Sequence, residues 1–195
     1  TGQGGQKGAD IEQGQQQLHA GRVFWQGRLH GRSVVLALSG IGKVAAATTA
    51  TVLIERFRVA RIVFTGVAGG VGDGVSVGDI VVAQDYVQHA MDVSPLFERW
   101  CVPGYDGVRL PCDPTLTAIL SEAVESCLVS ARGYFDHEFM DVAPRLHRGL
   151  VASGDRFITC GEVARALREP LVAAGHDVLA VEMEGAAVAQ VCLDY

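Results

Sequence analysis

The run SVVLALSGIGKVAAATTATVLIERF at residues 33–57, followed by RIVFTG at residues 61–66, decides the expected fold. Ser33 to Leu38 is nearly continuous in apolar, β-prone character, as expected of a strand covered on both faces. Ser39-Gly40-Ile41-Gly42 breaks that strand. Lys43 to Phe57 follows as an alanine-rich helix, and Arg61 to Gly66 as the next buried strand. Strand, glycine turn, helix and strand make a βαβ unit, and such crossovers are almost always right-handed.

The same alternation continues downstream. A second glycine loop spans Gly66 to Gly74, and Val77 to Ala83 is another strand. Gln84 to Pro114 is irregular and carries His89, Met91, Phe97, Trp100 and Tyr105 among prolines. Loops of that length in compact domains are usually functional or disordered, and the apolar content favours an ordered one facing substrate or partner. Leu116, Leu120, Val124 and Cys127 space a helix over Pro114 to Ser130. Arg132 to His147 is a polar insertion. Gly149 to Ser153 is a strand, and Thr159 and Glu162 have capping-box spacing for a helix ending near Gly175. Val178 to Val181 is a strand, and Gly185 to Leu193 starts a helix. Upstream, Val23-Phe24-Trp25 pairs with Ser33 to Leu38, with Gln26 to Arg32 between them as the turn. Thr1 to Gly21 is rich in Gly and Gln and has little to bury, so a disordered tail or an appended remnant is expected there. The pattern predicts an α/β domain over residues 22–195, with a central mostly parallel or mixed sheet flanked by helices.

Composition narrows the function classes. The 195 residues are 49% hydrophobic and 19% charged, as in a well-buried globular domain. The formal net charge is −6 and no Lys/Arg stripe exists, which disfavours a nucleic-acid partner. No apolar run approaches the roughly 20 residues of a membrane span, so no membrane partner is expected. Five cysteines, at 101, 112, 127, 160 and 192, form no CxxC pair, and an odd count fits a reduced cytoplasmic compartment. Each is expected to be a small buried hydrophobe. There is no metal-ligand cluster and no dinucleotide fingerprint, so no cofactor is implied.

Ser39–Gly42, Thr65–Gly70, Ser153–Ile158 and Glu182–Glu184 all follow expected strand ends. In open α/β sheets, ligands bind outside the carboxyl ends of the strands, so one rim would gather all four. Gly40, Gly42, Gly69 and Gly70 are equally explained as turn formers. Glu182 and Glu184 lie inside an apolar stretch, and a buried carboxylate needs partners. One could pair with an arginine as structural glue. Sugar hydroxyls suit the other, because a carboxylate only accepts and a diol donates.

Five motifs in order, SGIGKVAAA at 39–47, TGVAGG at 65–70, VGDIVV at 77–82, VASGDRFI at 151–158 and AVEMEGAA at 180–187, resemble the methylthioadenosine/S-adenosylhomocysteine nucleosidases. These have the three-layer nucleoside phosphorylase fold. The resemblance covers roughly Arg22 to Tyr195. It implies a hydrolase that cleaves the N-glycosidic bond of adenine thionucleosides to adenine and a thioribose, a cytoplasmic homodimer of nucleoside metabolism and methionine salvage. Glu184 would bind the ribose diol and stabilise positive charge developing on the sugar, since a carboxylate there favours an oxocarbenium-like state over the ground state. Met183 would pack on the ribose, with Glu182 beside it in the substrate site. Phe157 would stack on adenine, Ile158 would offer backbone hydrogen bonds to its edge, and Ala68 and Gly69 would line the pocket. Plain core packing is the alternative for Phe157. Most histidines are structural, and His89 is read that way.

The resemblance also implies parts without a counterpart here. One is an early strand with a water-activating glutamate, a role that Glu12 and its Gln/Gly surroundings do not match. The other is a later strand whose aspartate protonates the purine, a role that Asp194 does not match. The general acid and base are therefore unassigned, and a non-catalytic nucleoside-binding protein stands as one alternative. A purine nucleoside phosphorylase is another. Phe64 and Val67 stand where phosphorylases of this fold place phosphate donors, and neither can donate.

Overall fold

In the computed structural model, residues 12–130 and 143–195 are described. Most of the expected tail, residues 1–11, and most of the polar insertion, residues 131–142, lie outside them. Eight strands and four helices are formed by the described residues.

The chain opens with a three-stranded antiparallel meander: β1 (Glu12–His19), β2 (Arg22–Leu29) and β3 (Arg32–Ala37). Ala20-Gly21 and His30-Gly31 join these strands, and all four residues have positive φ. That is the type I′ pattern, whose twist matches a hairpin. Two expectations are corrected here. Glu12 to His19 is a strand and not a tail, and Gln26 to Leu29 belong to β2 and not to the turn. β1 has no apolar alternation to announce it; its order comes from the ladder to β2. Phe24 is fully buried, with its ring stacked on Phe57 at 5.1 Å, and His19 meets Phe57 edge-on at 5.6 Å. These rings fasten the meander to α1 (Lys43–Phe57). β3 is not covered on both faces, since Leu36 is exposed.

The expected βαβ unit does not form. β3 lies in the meander, and residues 61–66 form no strand and pair with no described strand. The apolar alternation is nevertheless in use. Ile62 and Phe64 pack on a cluster of Ala46 and Ala50 from α1 with Ala187 and Val188 from α4 (Gly185–Asp194), while Val63 points outward. Small side chains on both helices permit this close packing.

The main sheet has the order β4-β8-β7-β5-β6. β5 (Ile80–Gln88), β7 (Leu146–Ser153) and β8 (Val178–Glu182) are parallel, and the short edges β4 (Gly69–Gly70) and β6 (Arg109–Pro111) are antiparallel. With α2 (Pro114–Ser130), α3 (Gly161–Ala173) and α4 around it, this is a mixed sheet flanked by helices, as expected. Val87, Leu150, Ala152, Val178 and Val181 form the core with Leu171 of α3. Trp100 is buried in that core, so it is not a partner-facing residue, whereas Phe97 is 47% exposed. α3 begins at Gly161 with Cys160 as its N-cap, and no side chain caps it, which corrects the capping box expected at Thr159. The cysteines are unpaired, and Cys127, Cys160 and Cys192 are exposed where buried ones were expected. No helix among the described residues is long and apolar enough to cross a membrane.

The parallel pair β5–β7 is locked at its start by Asp79, whose side chain is 4% exposed. Its carboxylate accepts from the backbone N–H of Ser76 (2.9 Å) and of Arg145 (2.8 Å), and lies 2.8 Å from Nε2 of His147. Burial opposes the charge, but these three contacts outweigh it and hold the carboxyl below its ordinary range.

Candidate active site

The site is built where β7 and β8 end side by side. Ser153 and Glu182 are register partners at the carboxyl ends of these parallel strands. Ser153 is fully buried, and its hydroxyl donates to Oε1 of Glu182. Oε2 of Glu182 accepts from the backbone N–H of Glu184 (2.8 Å) and of Gly185 (2.7 Å). Ser153 Oγ accepts in turn from the N–H of Ala186 at 2.7 Å. Burial pushes the Glu182 carboxyl above its ordinary range; the hydrogen bonds oppose that shift, and the neighbouring Glu184 adds to it. Both oxygens of Glu182 are thus engaged by the protein. Its side chain is turned to the protein, and its partners are the Ser153 hydroxyl and two backbone N–H groups where an arginine had been the structural alternative.

Glu184 points the other way. It is the N-cap residue of α4, and its Oε1 accepts from the Gly42 N–H at 2.6 Å. Gly42 has φ of 93°, a left-handed conformation that glycine adopts without strain. The glycine loop before α1 therefore reaches the carboxylate across the rim. Lys43, next in the chain, ties the same corner together. Its N–H donates to Asp155 Oδ1 at 3.2 Å, and its Nζ lies 3.0 Å from Gln88 Oε1 and 3.4 Å from Asp155 Oδ2. Gln88 is buried and donates to Gln190 of α4 at 2.7 Å. The ends of β5, β7 and β8 and the starts of α1 and α4 are thereby held as one rim.

The other expected residues fall around this rim. Met183 is half-buried beside Glu184. Gly69 pairs with Val181 in β4, and Ala68 precedes it on the surface. Phe157 is 75% exposed, so it is presented to solvent and not packed in the core. Ile158 is anchored against the core cluster. His89 donates its backbone N–H to Ser153 O at 3.0 Å. Burial, then the charge of Lys43, lowers its pKa, so the ring is neutral at neutral pH.

Ser153 and Gly154 were expected on the rim only as part of a loop, and Gly185 and Lys43 had no site role in the sequence reasoning. The two glycines are required by close approach. A Cβ on Gly154 would stand 2.1 Å from His89 Nε2, and one on Gly185 would stand 2.2 Å from Tyr86 Cε1. The only sequence signal was a glycine directly after a strand-end motif. A cavity of about 550 Å³ lies elsewhere, between residues 60–64, β5, α2 and α4, and of the rim it touches only Gly185. A second, of about 360 Å³, is lined by His89, Trp100, Arg156, Ile158 and residues of α3.

Comparison with known proteins finds relatives within one superfamily. The family described as the phosphorylase superfamily matches residues 3–195. A 5′-methylthioadenosine/S-adenosylhomocysteine nucleosidase from Colwellia psychrerythraea is 39% identical over 184 residues, covering 90% of this chain and 67% of the relative. One of the same name from Bacillus thuringiensis is 34% identical over 186 residues, covering 95% and 72%. Among solved structures, the nucleosidase of that name from Neisseria meningitidis, in complex with methylthio-immucillin-A, superposes with a TM-score of 0.77 at 34% identity. It covers 94% of this chain and 72% of that one.

Proposed function

We infer the function from the premise that this chain belongs to the phosphorylase superfamily and, within it, to the 5′-methylthioadenosine/S-adenosylhomocysteine nucleosidases: it hydrolyses the N-glycosidic bond of adenine thionucleosides, releasing adenine and a thioribose. The observation that carries the site assignment is the Glu184 carboxylate, held at the strand-end rim by the Gly42 N–H. In this reading Glu184 accepts from the ribose diol and stabilises the oxocarbenium-like transition state. Met183 packs on the sugar, and Ala68 and Gly69 line its pocket. The exposed face of Phe157 stacks on adenine while the backbone of Ile158 meets the base edge. Water, and not phosphate, is the acceptor. In support, the side chain of Val67 in the Thr65–Gly70 loop has no donor for phosphate, and the first-turn N–H groups of α4 are already engaged.

The folded unit is one domain that includes β1. It works as a cytoplasmic homodimer, and its products enter methionine salvage. The dimer reading is supported by apolar side chains exposed beside Gly42 and Lys43 of the rim, with Ile41 and Val44 each 82% exposed. Incubation with methylthioadenosine, with and without phosphate, tests the reaction through the adenine released. Release at the same rate in both is expected. Release only with phosphate would make the chain a phosphorylase.

A further inference from the structure

We propose that Ser153 and Glu182 are a positioning pair that keeps Glu184 available to the sugar by occupying the start of α4. This rests on the reading of Glu184 as the ribose carboxylate. A helix N-terminus presents unsatisfied N–H groups and partial positive charge, and an acidic side chain at the N-cap is the nearest acceptor. Glu184 occupies that N-cap position. Left alone, its own carboxylate would fold back onto the first turn and be lost from the rim.

The structure removes that competition. The N–H groups of Glu184 and Gly185 go to Glu182, that of Ala186 goes to Ser153, and that of Ala187 bonds back to the Glu184 carbonyl at 3.0 Å. No first-turn donor is left for the Glu184 side chain, which bonds instead to Gly42 across the rim. The pair itself is fixed by the sheet, since Ser153 and Glu182 are register partners on adjacent strands. A merely structural carboxylate could sit anywhere in this interior. Glu182 sits where it captures the donors that would capture Glu184.

The test is binding of adenosine and 2′,3′-dideoxyadenosine by calorimetry, in the parent chain and in Glu184→Gln, Glu182→Ala, Glu182→Gln and Ser153→Ala. The parent should prefer adenosine by roughly tenfold or more, as hydrogen bonds to a charged acceptor allow. Glu184→Gln should lose most of that preference. Glu182→Ala should lose it as well, while its affinity for the dideoxy analogue stays within about threefold of the parent. Glu182→Gln should restore the preference, because its amide oxygen can accept from both N–H groups while its NH₂ donates to Ser153. Ser153→Ala, which frees one N–H, should fall between and serves if Glu182→Ala does not fold. A Glu182→Ala protein with the parent preference overturns the proposal. So does loss of preference in Glu182→Gln as complete as in Glu182→Ala, which would mean that the charge itself touches sugar. A parent without diol preference overturns the underlying ribose reading instead.

Discussion

Two glutamates of the same type, two positions apart, have opposite fates, and backbone geometry decides which is which. Glu182 is the last residue of β8, so the ladder presents it to Ser153 and the turn closes over it. Glu184 lies beyond the ladder, on the turn, and reaches the rim. Glu184→Gln should therefore abolish adenine release while thermal unfolding stays close to the parent, because its one contact is at the surface of the site. Unchanged turnover would sink the ribose assignment. Phe157→Ala should weaken nucleoside binding by about 1–3 kcal/mol, roughly 5- to 150-fold in Kd, and leave stability unmoved, since a side chain so exposed supports no core. An equal affinity in calorimetry would refute the stacking role. Glu182 and Glu184 stand out in the sequence as carboxylates inside an apolar stretch, whereas the separate roles expected of Glu184 and Phe157 come from the resemblance. Ser153, Gly154 and Gly185 do not stand out, because their roles exist only through contacts with residues far along the chain. Gly185→Ala makes that point measurable. Its Cβ would collide with Tyr86, so the start of α4 must shift, and both stability and nucleoside binding should fall together. A fully stable variant with normal binding would show that the close approach is dispensable.

At the scale of elements, local pattern located most strands and helices and the β2–β3 hairpin, but not the pairing of β1 or the lack of pairing of residues 61–66 among the described strands. The boundaries of α2 and the positions of β7, β8 and α4 follow directly from apolar spacing and glycine punctuation. β1 was invisible because EQGQQQLH carries no alternation; its order is borrowed from β2. Residues 61–66 show the converse, since their alternation is real and yet pairs with no described strand. Hydrophobic period reports which faces are covered, whereas pairing depends on what lies alongside. The meander tests how far such borrowing goes. Phe24, stacked on Phe57, is its main buried link to α1. Phe24→Ala should cost about 3–5 kcal/mol, the usual range for deleting a fully buried aromatic. Denaturant unfolding would show this as a lower midpoint, and a loss under about 1 kcal/mol would mean the meander is not coupled to the rest.

Across the whole molecule, the sheet is clamped at both ends by buried carboxylates of opposite character. Asp79 holds the start of β5 and β7, and Glu182 holds the end of β7 and β8. Asp79 is held below its ordinary value of 3.8, so its ionised form belongs to the folded state. Its contribution is present above that value and is lost as pH falls through the lower, folded one. Glu182 is raised above its ordinary 4.5, so its neutral form is the one that folding favours. Its contribution is complete below 4.5 and is lost as pH rises through the raised value. The two clamps therefore predict opposite pH slopes for neutralising substitutions. Asp79→Asn should melt below the parent at neutral pH, and the gap should narrow as pH falls below 3.8, where the parent's own carboxyl begins to protonate. Glu182→Gln should gain on the parent as pH rises, since it never ionises in its buried place. Thermal melts of the three proteins from about pH 3 to about pH 8 would decide it. Parallel curves for either variant would show that its carboxyl is not shifted by the fold, and the clamp at that end of the sheet would then be ordinary packing.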